Sequence, residues 1–401
     1  MLPDGWKEVK LGDVCTLING RGFKPHEWSA KGLPIIRIQN LNGSDEFNYY
    51  DGDFDPKILV KDGQLLFAWS GSRGTSFGPH VWHGPDAVLN YHTWKVQVSD
   101  KVDKTYFLQY LRLVTNRIED SAHGAAALVH TQKGEMEKFK IVLPSVEEQK
   151  ALGKTLGQWD MAITELKQLL AEKQKQKKAL MQRLLTGKHR FHEFEGQEWQ
   201  EVELGNVFER VRRKNDEHNT NVVTISGKQG FVLQSDYFKK NIASSTLDGY
   251  FLLHKGEFAY NKSYSNGYPM GAIKRLNILD KGVVTTLYIC FALKDEKKSC
   301  ANFFEQFFES GSMVRGLSKI ANEGGRAHGL LNVTPSDFFK LKMKIPTYAE
   351  QQKIAAVLNE ADKEIDLLMQ KLEAYQDQKN GLMQQLLTGK KRVKLDRQEA
   401  A

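Results

Sequence analysis

A long internal repeat constrains this fold more than any other feature of the sequence. Residues 144–188 and 346–390 match at about 20 of about 45 positions, far more than unrelated segments share by chance. A shorter pair of similar segments, residues 5–14 and 198–207, precedes the two long copies. The segment between the short and the long repeat in the first half is dissimilar to the corresponding segment in the second half. The chain is therefore a duplicated frame that carries two different inserts.

Each long repeat has the apolar spacing of a coiled-coil helix, with steps that alternate between four and three. Each begins with proline and a capping-box pattern, Ser145-x-x-Glu148 or Thr347-x-x-Glu350. Each ends in Thr-Gly-Lys, where the glycine favours helix termination. We expect the following apolar residues to pack the helices together: Leu152, Leu156, Ile163, Leu166, Leu170, Leu180, Leu184, Ile354, Leu358, Ile365, Leu368, Leu372, Leu382 and Leu386.

Two helices with one apolar stripe each are expected to pack on each other, the alternative being two separate dimerisation helices. Antiparallel packing would create a pseudo-two-fold axis and hold the inserts at opposite ends. Lys173 and Lys177 interrupt one stripe, and Tyr375 and Lys379 interrupt the other. These polar residues predict a weak seam near its middle. The basic run 173–178 fits either phosphate contact or a solvated helix face.

The predicted fold is α/β (α+β), with two globular domains, two long helices packed as an antiparallel coiled coil, and a pseudo-two-fold internal repeat. The 401 residues suit two or three domains. No apolar run reaches membrane-spanning length and no signal peptide is evident, which favours a cytoplasmic protein without membrane contact. The predicted segments are a first globular domain (1–144), a central helix (145–190), a second globular domain (191–346), a C-terminal helix (347–392) and a polar tail (393–401).

Polar side chains cluster on predicted turns that follow strands in both inserts. The net charge of +8 indicates an anionic partner. Amides that end the predicted strand 33–42 could bond adenine in a major groove, and the glycine-rich turn 71–75 exposes donors to an anion. Each residue is also explained as an ordinary turn former. The candidates for DNA contact are Arg21, Lys24, Arg37, Gln39, Asn40, Asn42, Ser72, Arg73, Thr75, Lys228, Gln229, Lys262, Ser263, Tyr264, Asn266 and Tyr268.

The sequence offers no catalytic or metal-binding constellation. An Asn- or Asp-Pro-Pro-aromatic motif is missing, so amino-methyl transfer has no candidate residues. Lys188 and Lys390 follow glycine but precede no Ser or Thr, unlike a phosphate-binding loop. The three cysteines form no CxxC pair, which predicts buried thiols rather than disulfides or zinc ligands. We therefore predict no catalytic residue and no metal ligand.

The duplicated frame resembles the specificity subunits of type I restriction-modification enzymes. The resemblance rests on Leu143-Pro144 followed by Glu148-Gln149, on the matching Pro346 and Glu350-Gln351, and on both Leu-Leu-Thr-Gly-Lys ends. It implies two target-recognition domains that each read half of a split duplex DNA sequence, and a chain that is not an enzyme. By the same resemblance, DNA-facing loops hold His130, Lys133, Arg326 and His328.

The resemblance also implies partner subunits. Two methyltransferase subunits would dock on the helices and bind S-adenosylmethionine, and restriction subunits, where present, would use ATP and Mg²⁺. No cofactor is expected in this chain. Two other classes stay open: a coiled-coil assembly scaffold that does not bind DNA, and an enzyme with a fused methyltransferase or nuclease, which chain length and missing motifs disfavour.

Overall fold

A computed structural model describes residues 2–121, 128–237, 247–323, 329 and 331–395. The chain forms two compact units, one made of residues 1–167 and 370–401 and the other of residues 168–369. We call the globular part of the first unit head 1 (residues 7–143) and that of the second head 2 (residues 200–345). Each unit contains one head and half of each long helix, so the units divide both helices near their midpoints rather than at the heads.

Head 1 is a mixed α/β domain with two four-stranded sheets. Its strands are Lys7–Lys10 (β1), Cys15–Asn19 (β2), Leu33–Ile36 (β3), Tyr49–Tyr50 (β4), Leu59–Val60 (β5), Leu65–Ala68 (β6), Ser70–Ser72 (β7), Gly78–Val81 (β8), Ala87–Leu89 (β9), Thr93–Val98 (β10), Leu128–His130 (β11) and Lys140–Leu143 (β12). Its α-helices are Ile38–Leu41 (α1), Lys104–Ser121 (α2) and Lys133–Lys138 (α3).

The main sheet of head 1 has the order β2-β10-β6-β8, and all its pairs are antiparallel. Trp94 and Val96 of β10 are buried, which is the alternation of a strand with one face on a core. That core also takes Tyr106 and Tyr110 from α2. The second sheet has the order β4-β3-β9-β5, and β3 and β9 run parallel. β1 pairs with β12, joining the start and the end of the head.

The first long repeat is one helix, Val146–Leu184 (α4). It begins after Pro144 and ends just before Gly187, whose φ of 70° is the left-handed conformation that the sequence predicts there. Leu152, Leu156, Ile163, Leu166 and Leu184 of the predicted stripe are buried, and Leu170 and Leu180 are half-buried.

Head 2 repeats the plan of head 1. Its strands are Gln200–Glu203 (β13), Phe208–Arg210 (β14), Val223–Ser226 (β15), Gly230–Leu233 (β16), Phe251–His254 (β17), Phe258–Asn261 (β18), Ala272–Arg275 (β19), Lys281–Val284 (β20), Ile289–Leu293 (β21), Asn322–Glu323 (β22), Leu331–Asn332 (β23) and Lys342–Ile345 (β24). Its α-helices are Leu204–Val207 (α5), Gln234–Tyr237 (α6), Ala301–Glu309 (α7), Val314–Ile320 (α8) and Pro335–Phe339 (α9). The main sheet, β14-β21-β18-β19, is again antiparallel.

The second long repeat is the helix Tyr348–Leu386 (α10). In each unit its half lies antiparallel to the half of α4. In the first unit the Trp159 and Tyr375 rings lie 5.4 Å apart, and Lys379 Nζ donates to Asp160 Oδ1 at 2.6 Å. In the second unit Lys177 Nζ lies 2.5 Å from Asp362 Oδ1. The predicted fold, with two α/β domains and an antiparallel helix pair, is confirmed.

Two details of the predicted helices are wrong. The lysines in the stripes do not leave a weak seam, because Lys177 and Lys379 each meet an aspartate of the facing helix. The capping boxes form at most in part. Glu148 N lies 3.3 Å from Ser145 Oγ, but the Glu148 carboxylate binds elsewhere.

The two repeated glutamates are the buried centres of matching ion pairs. Glu148 accepts two bonds from the Arg392 guanidinium at 2.8 and 3.0 Å, and a third from the Trp6 indole at 3.0 Å. Glu350 accepts two bonds from Arg190 at 2.5 and 2.7 Å. Each pair ties the start of one long helix to the segment that follows the other, so we call them the frame clamps.

Candidate nucleic-acid interface

In head 1, loops from separate parts of the sequence meet at one end of the main sheet. Arg21 N donates to Leu89 O at 3.0 Å, which ties the loop 19–24 to β9. Ser70 of β7 pairs with His130 of β11. A pocket of about 160 Å³ is lined by Arg37, Ile38, Gln39 and residues 90–93. The structure thus brings several predicted DNA-contacting residues to one surface.

A row of four rings runs from the buried Trp94 in the core to the exposed Tyr91 at this surface, and the sequence analysis missed it. The ring centroids of Trp94 and Trp69 are 6.2 Å apart, those of Trp69 and His92 5.4 Å, and those of His92 and Tyr91 3.8 Å. Tyr91 is 47% exposed. Burial lowers the pKa of His92, so its ring is neutral at pH 7. The closely spaced aromatic residues after β9 were the available sequence signal.

The arginines of these loops already have partners. Arg21 pairs with Glu27 at 2.8 Å, and its guanidinium lies 4.2 Å from the centre of the Phe23 ring. Arg37 donates to Asn48 Oδ1 at 2.9 Å. These contacts shape the loops, and a guanidinium that faces a carboxylate adds less net charge toward a phosphate.

The amides at 39–42 do not end a strand as predicted. The predicted strand is wrong because β3 gives way to α1, which Asn40 stabilises. Asn40 Oδ1 accepts from Arg37 N at 3.0 Å, and its Nδ2 donates to Glu46 O at 2.9 Å. Asn40 is buried, so its amide serves the loop and not a base edge. Gln39 and Asn42 are exposed.

The glycine-rich turn 71–75 is tied to the end of α2. Arg73 donates to Glu119 O, and Gly74 N donates to Glu119 Oε1 at 2.8 Å. Ser72, Arg73 and Thr75 are exposed. The turn remains accessible even though Arg73 has contacts within the head.

The residues suggested by resemblance divide into two groups. His130 is exposed on β11, and Lys133 begins α3, where it pairs with Glu137 at 3.7 Å. Arg326 and His328 lie outside the described residues. Lys24, the one predicted residue of head 1 not yet described, is exposed.

In head 2 the predicted residues lie on two adjoining loops. One is the turn between β15 and β16, and the other follows β18, where Tyr264 N donates to Gly329 O at 2.7 Å. A Cβ on Gly227 would lie 2.7 Å from the Tyr268 ring, so glycine allows the loops to touch. The exposed predicted residues are Lys228, Gln229, Tyr264 and Asn266, and the half-buried ones are Lys262, Ser263 and Tyr268.

Tyr268 serves the structure of head 2. Its hydroxyl donates to Glu309 and accepts from Lys274 Nζ at 3.0 Å. Burial and the bond to Glu309 raise its pKa above the ordinary range. A hydroxyl that is engaged in this way is not available to a base, whereas the neighbouring Tyr264 is 62% exposed.

Chemistry other than recognition has little support in the geometry. Within the described ranges, no group of three or more His, Cys, Asp or Glu could hold a metal ion. Burial raises the pKa of the Cys15 and Cys290 thiols to about 12, so both are protonated, and Cys300 is half-buried rather than fully buried. None of the described helices is long and apolar enough to cross a membrane.

Comparison with known proteins identifies the class. The profile of the type I restriction modification DNA specificity domain matches twice, over residues 3–174 and 196–374. The chain belongs to this family. It is therefore a non-catalytic specificity subunit, which recognises a DNA target in a restriction system.

Two relatives and two solved structures are similar along nearly their whole length. The MjaVIII specificity subunit of Methanocaldococcus jannaschii is 23% identical, with 98% of this chain and 94% of the relative covered. The putative MjaX specificity subunit from the same organism is 25% identical, with 98% and 95% covered. An S subunit from M. genitalium matches with a TM-score of 0.54 at 15% identity, with 96% and 98% covered. A structure described as showing complex assembly of the type I R-M system matches with a TM-score of 0.55 at 14% identity, with 97% and 99% covered.

Proposed function

We propose that each head reads one half of a bipartite duplex DNA target. The observation that carries this proposal is the double family match, which falls once on each head, together with the repeated order of the main sheets. A duplicated recognition domain with different loops is suited to two different half-sites. Phosphate contacts would supply affinity, and a few loop side chains would supply sequence discrimination.

The exposed loop residues are the proposed base and phosphate contacts. In head 1 these are Gln39, Asn42, Arg73 and Thr75, with Tyr91 added by the structure. In head 2 they are Lys228, Gln229, Tyr264 and Asn266. Amides suit adenine edges, and lysine suits phosphate or guanine.

We also propose that two methyltransferase subunits dock on the long helices and supply S-adenosylmethionine. Several large apolar side chains of α4 and α10 are exposed: Val146, Met161, Leu169, Leu367 and Met369. A docking partner could cover these side chains, and the proposal itself rests on the family to which the chain belongs. Restriction subunits would bring ATP and Mg²⁺. We propose that the complex works in the cytoplasm, where a restriction-system protein would meet its DNA.

The long helices are proposed to set the unread gap between the half-sites. A seven-residue insertion preserves the heptad register, and it must enter both helices at matched places, after Lys167 and after Met369. Each helix then lengthens by about 10 Å, the rise of about three base pairs of DNA. We expect both half-sequences to persist with a gap about three base pairs longer. An unchanged gap in a fully active variant would exclude the helices as the determinant of spacing.

Long-read sequencing of methylated DNA tests the main proposal directly. Cells that express this chain with its methyltransferase partner should carry adenine methylation at two short sequences separated by an unspecified gap. The rival scaffold function predicts a complex that assembles normally while the purified chain shows no salt-dependent DNA binding. A single uninterrupted methylated sequence would contradict bipartite reading.

A further inference from the structure

Head 2 holds three cationic side chains at the place where head 1 holds apolar and amide side chains. In head 1, Thr131 N donates to Trp69 O, and in head 2, Leu331 N donates to Lys262 O, so Lys262 replaces Trp69. Val14 O accepts from Ser99 N, and Val207 O accepts from Lys294 N. Counting three and five residues onward from these valines, Arg210 replaces Leu17 and Arg212 replaces Asn19.

The three cations lie together on the main sheet of head 2. β14 and β18 both pair with β21 in the same direction, so Arg210, Arg212 and Lys262 reach the same end of the sheet. Arg210 ends β14, Arg212 lies two residues beyond it and Lys262 directly follows β18, so the strand alternation, continued into these loop residues, gives all three the same side of the sheet. Burial lowers the pKa of Lys262, and the charge of Arg210 lowers it further. Likewise, burial and then the charge of Arg212 lower the pKa of Arg210.

Nothing in the described part of the chain neutralises this cluster. Among the described residues, Arg210, Arg212 and Lys262 form no salt bridge, and Arg210 Nε is buried without an acceptor. Leu17, by contrast, is buried in an apolar core. Arg210 and Lys262 are half-buried and Arg212 is exposed, so the cost of the cluster comes from partial burial together with the repulsion of three like charges, which a bound anion would relieve.

We propose that Arg210, Arg212 and Lys262 bind a backbone phosphate of the half-site read by head 2, and that head 1 has no equivalent phosphate site. This inference rests on the proposed DNA-reading function. It implies that different kinds of interaction bind the two half-sites. Head 2 would supply more of the salt-sensitive affinity, and head 1 would rely more on rings and amides.

The test measures DNA affinity by fluorescence anisotropy across a salt series, with the full chain and a duplex that contains the methylated target. Each lost phosphate contact lowers the slope of log affinity against log salt by about 0.9. Arg210→Gln and Lys262→Gln each remove one of the three cations and should each lower the slope by up to this amount, which makes affinity up to about 3.5-fold less sensitive to a rise from 50 to 200 mM salt. Arg210→Lys keeps the charge and should keep most of the slope.

Lys297→Gln is the matched control, because Lys297 is an exposed cation beyond the opposite end of β21. Its slope should equal that of the wild type. Thermal unfolding of each variant shows whether the head stays folded, and Lys262→Gln decides the matter if Arg210→Gln does not fold. A wild-type slope in Lys262→Gln and in a folded Arg210→Gln would overturn the phosphate site while leaving DNA reading intact. Wild-type protein without salt-dependent binding would overturn both.

Discussion

The main sheets of the two heads have the same strand arrangement, but different side chains lie at the loop end of each sheet. Both main sheets are antiparallel with corresponding strand orders, and both pack phenylalanine or tryptophan rings face to face, Phe67 on Trp94 and Phe258 on Phe291. At the loop end, head 1 presents the ring row that finishes in Tyr91, and head 2 presents the cations around Arg210. Core packing fixes the plan, whereas the exposed loops that follow the strands are free to differ. That freedom is what a recognition protein requires.

The frame shows the opposite behaviour, since its chemistry is repeated almost unchanged. Both frame clamps bury a glutamate under a bidentate arginine. They differ in support: Trp6 donates to Glu148, whereas the Trp199 indole nitrogen has no partner. Arg190 is also less exposed than Arg392, at 18% against 49% of its side chain. The second unit therefore depends more on its arginine.

The largest expected effect comes from Arg190→Ala. It leaves the Glu350 carboxylate, only 1% exposed, without its guanidinium partner. Removal of one partner of a buried pair costs about 3–5 kcal/mol. Arg392→Ala should cost less, because Trp6 still donates to Glu148 and the Arg392 side chain is itself 49% exposed. Chemical denaturation of both variants provides the comparison, and equal losses would show that the clamps are equivalent.

A smaller effect is expected from Asp160→Asn in the first unit. Burial raises the pKa of Asp160, but Arg112 and Lys379 outweigh it, so the pKa lies below its ordinary value of 3.8. The ionised carboxylate therefore stabilises the fold above about pH 4, and this contribution disappears as pH falls through the lowered pKa. We expect the variant to lose about 2 kcal/mol at pH 7, since Lys379 stays buried without its counter-ion.

Unfolding free energies at pH 7 and pH 3 measure this contribution. The wild type should lose more stability between the two pH values than Asp160→Asn does. The second unit offers the control Asp362→Asn, where the aspartate is more exposed, at 38% against 29%. If the wild type and Asp160→Asn lost the same stability between pH 7 and pH 3, the ionised Asp160 carboxylate would not contribute to the free energy of unfolding.

The smallest effect is expected from Tyr91→Ala, which removes the exposed end of the ring row. If a base or sugar rests on this ring, DNA affinity should fall by about 1 kcal/mol, and the salt slope should stay at its wild-type value. Lys262→Gln, by contrast, is expected to lower the salt slope. Anisotropy at several salt concentrations therefore distinguishes the two variants. A reduced slope in Tyr91→Ala would erase the proposed contrast between the heads.

The frame was predicted well from the sequence because a packed helix has apolar residues at regular intervals. Ile354 and Leu358 repeat at helical spacing, and the duplication shows which residues share a role. Prediction from the sequence failed where a side chain has two possible partners. Glu148 fits a capping box by spacing, yet its partner Arg392 is distant in sequence and only the fold brings them together. Asn40 fits a base reader by type, yet Arg37 and Glu46 use its amide.

The loop surfaces could be predicted in kind but not in detail. Polar turns after strands indicated their location, and the net charge of +8 indicated an anionic ligand. Which cations are already neutralised depends on three-dimensional neighbours, as Glu27 shows for Arg21. Lys262 was predicted as a DNA contact, but Arg210 and Arg212 were missed, since the segments that hold the three cations meet only in the folded sheet.

The central claim is that two independent heads on one duplicated frame read two halves of a DNA target. The most direct test replaces residues 20–139 with the corresponding insert of a relative and sequences the methylated DNA of cells that express the hybrid with the methyltransferase partner. The account predicts that one half of the methylated sequence changes, while the other half and the gap stay the same. A change in both halves would contradict it.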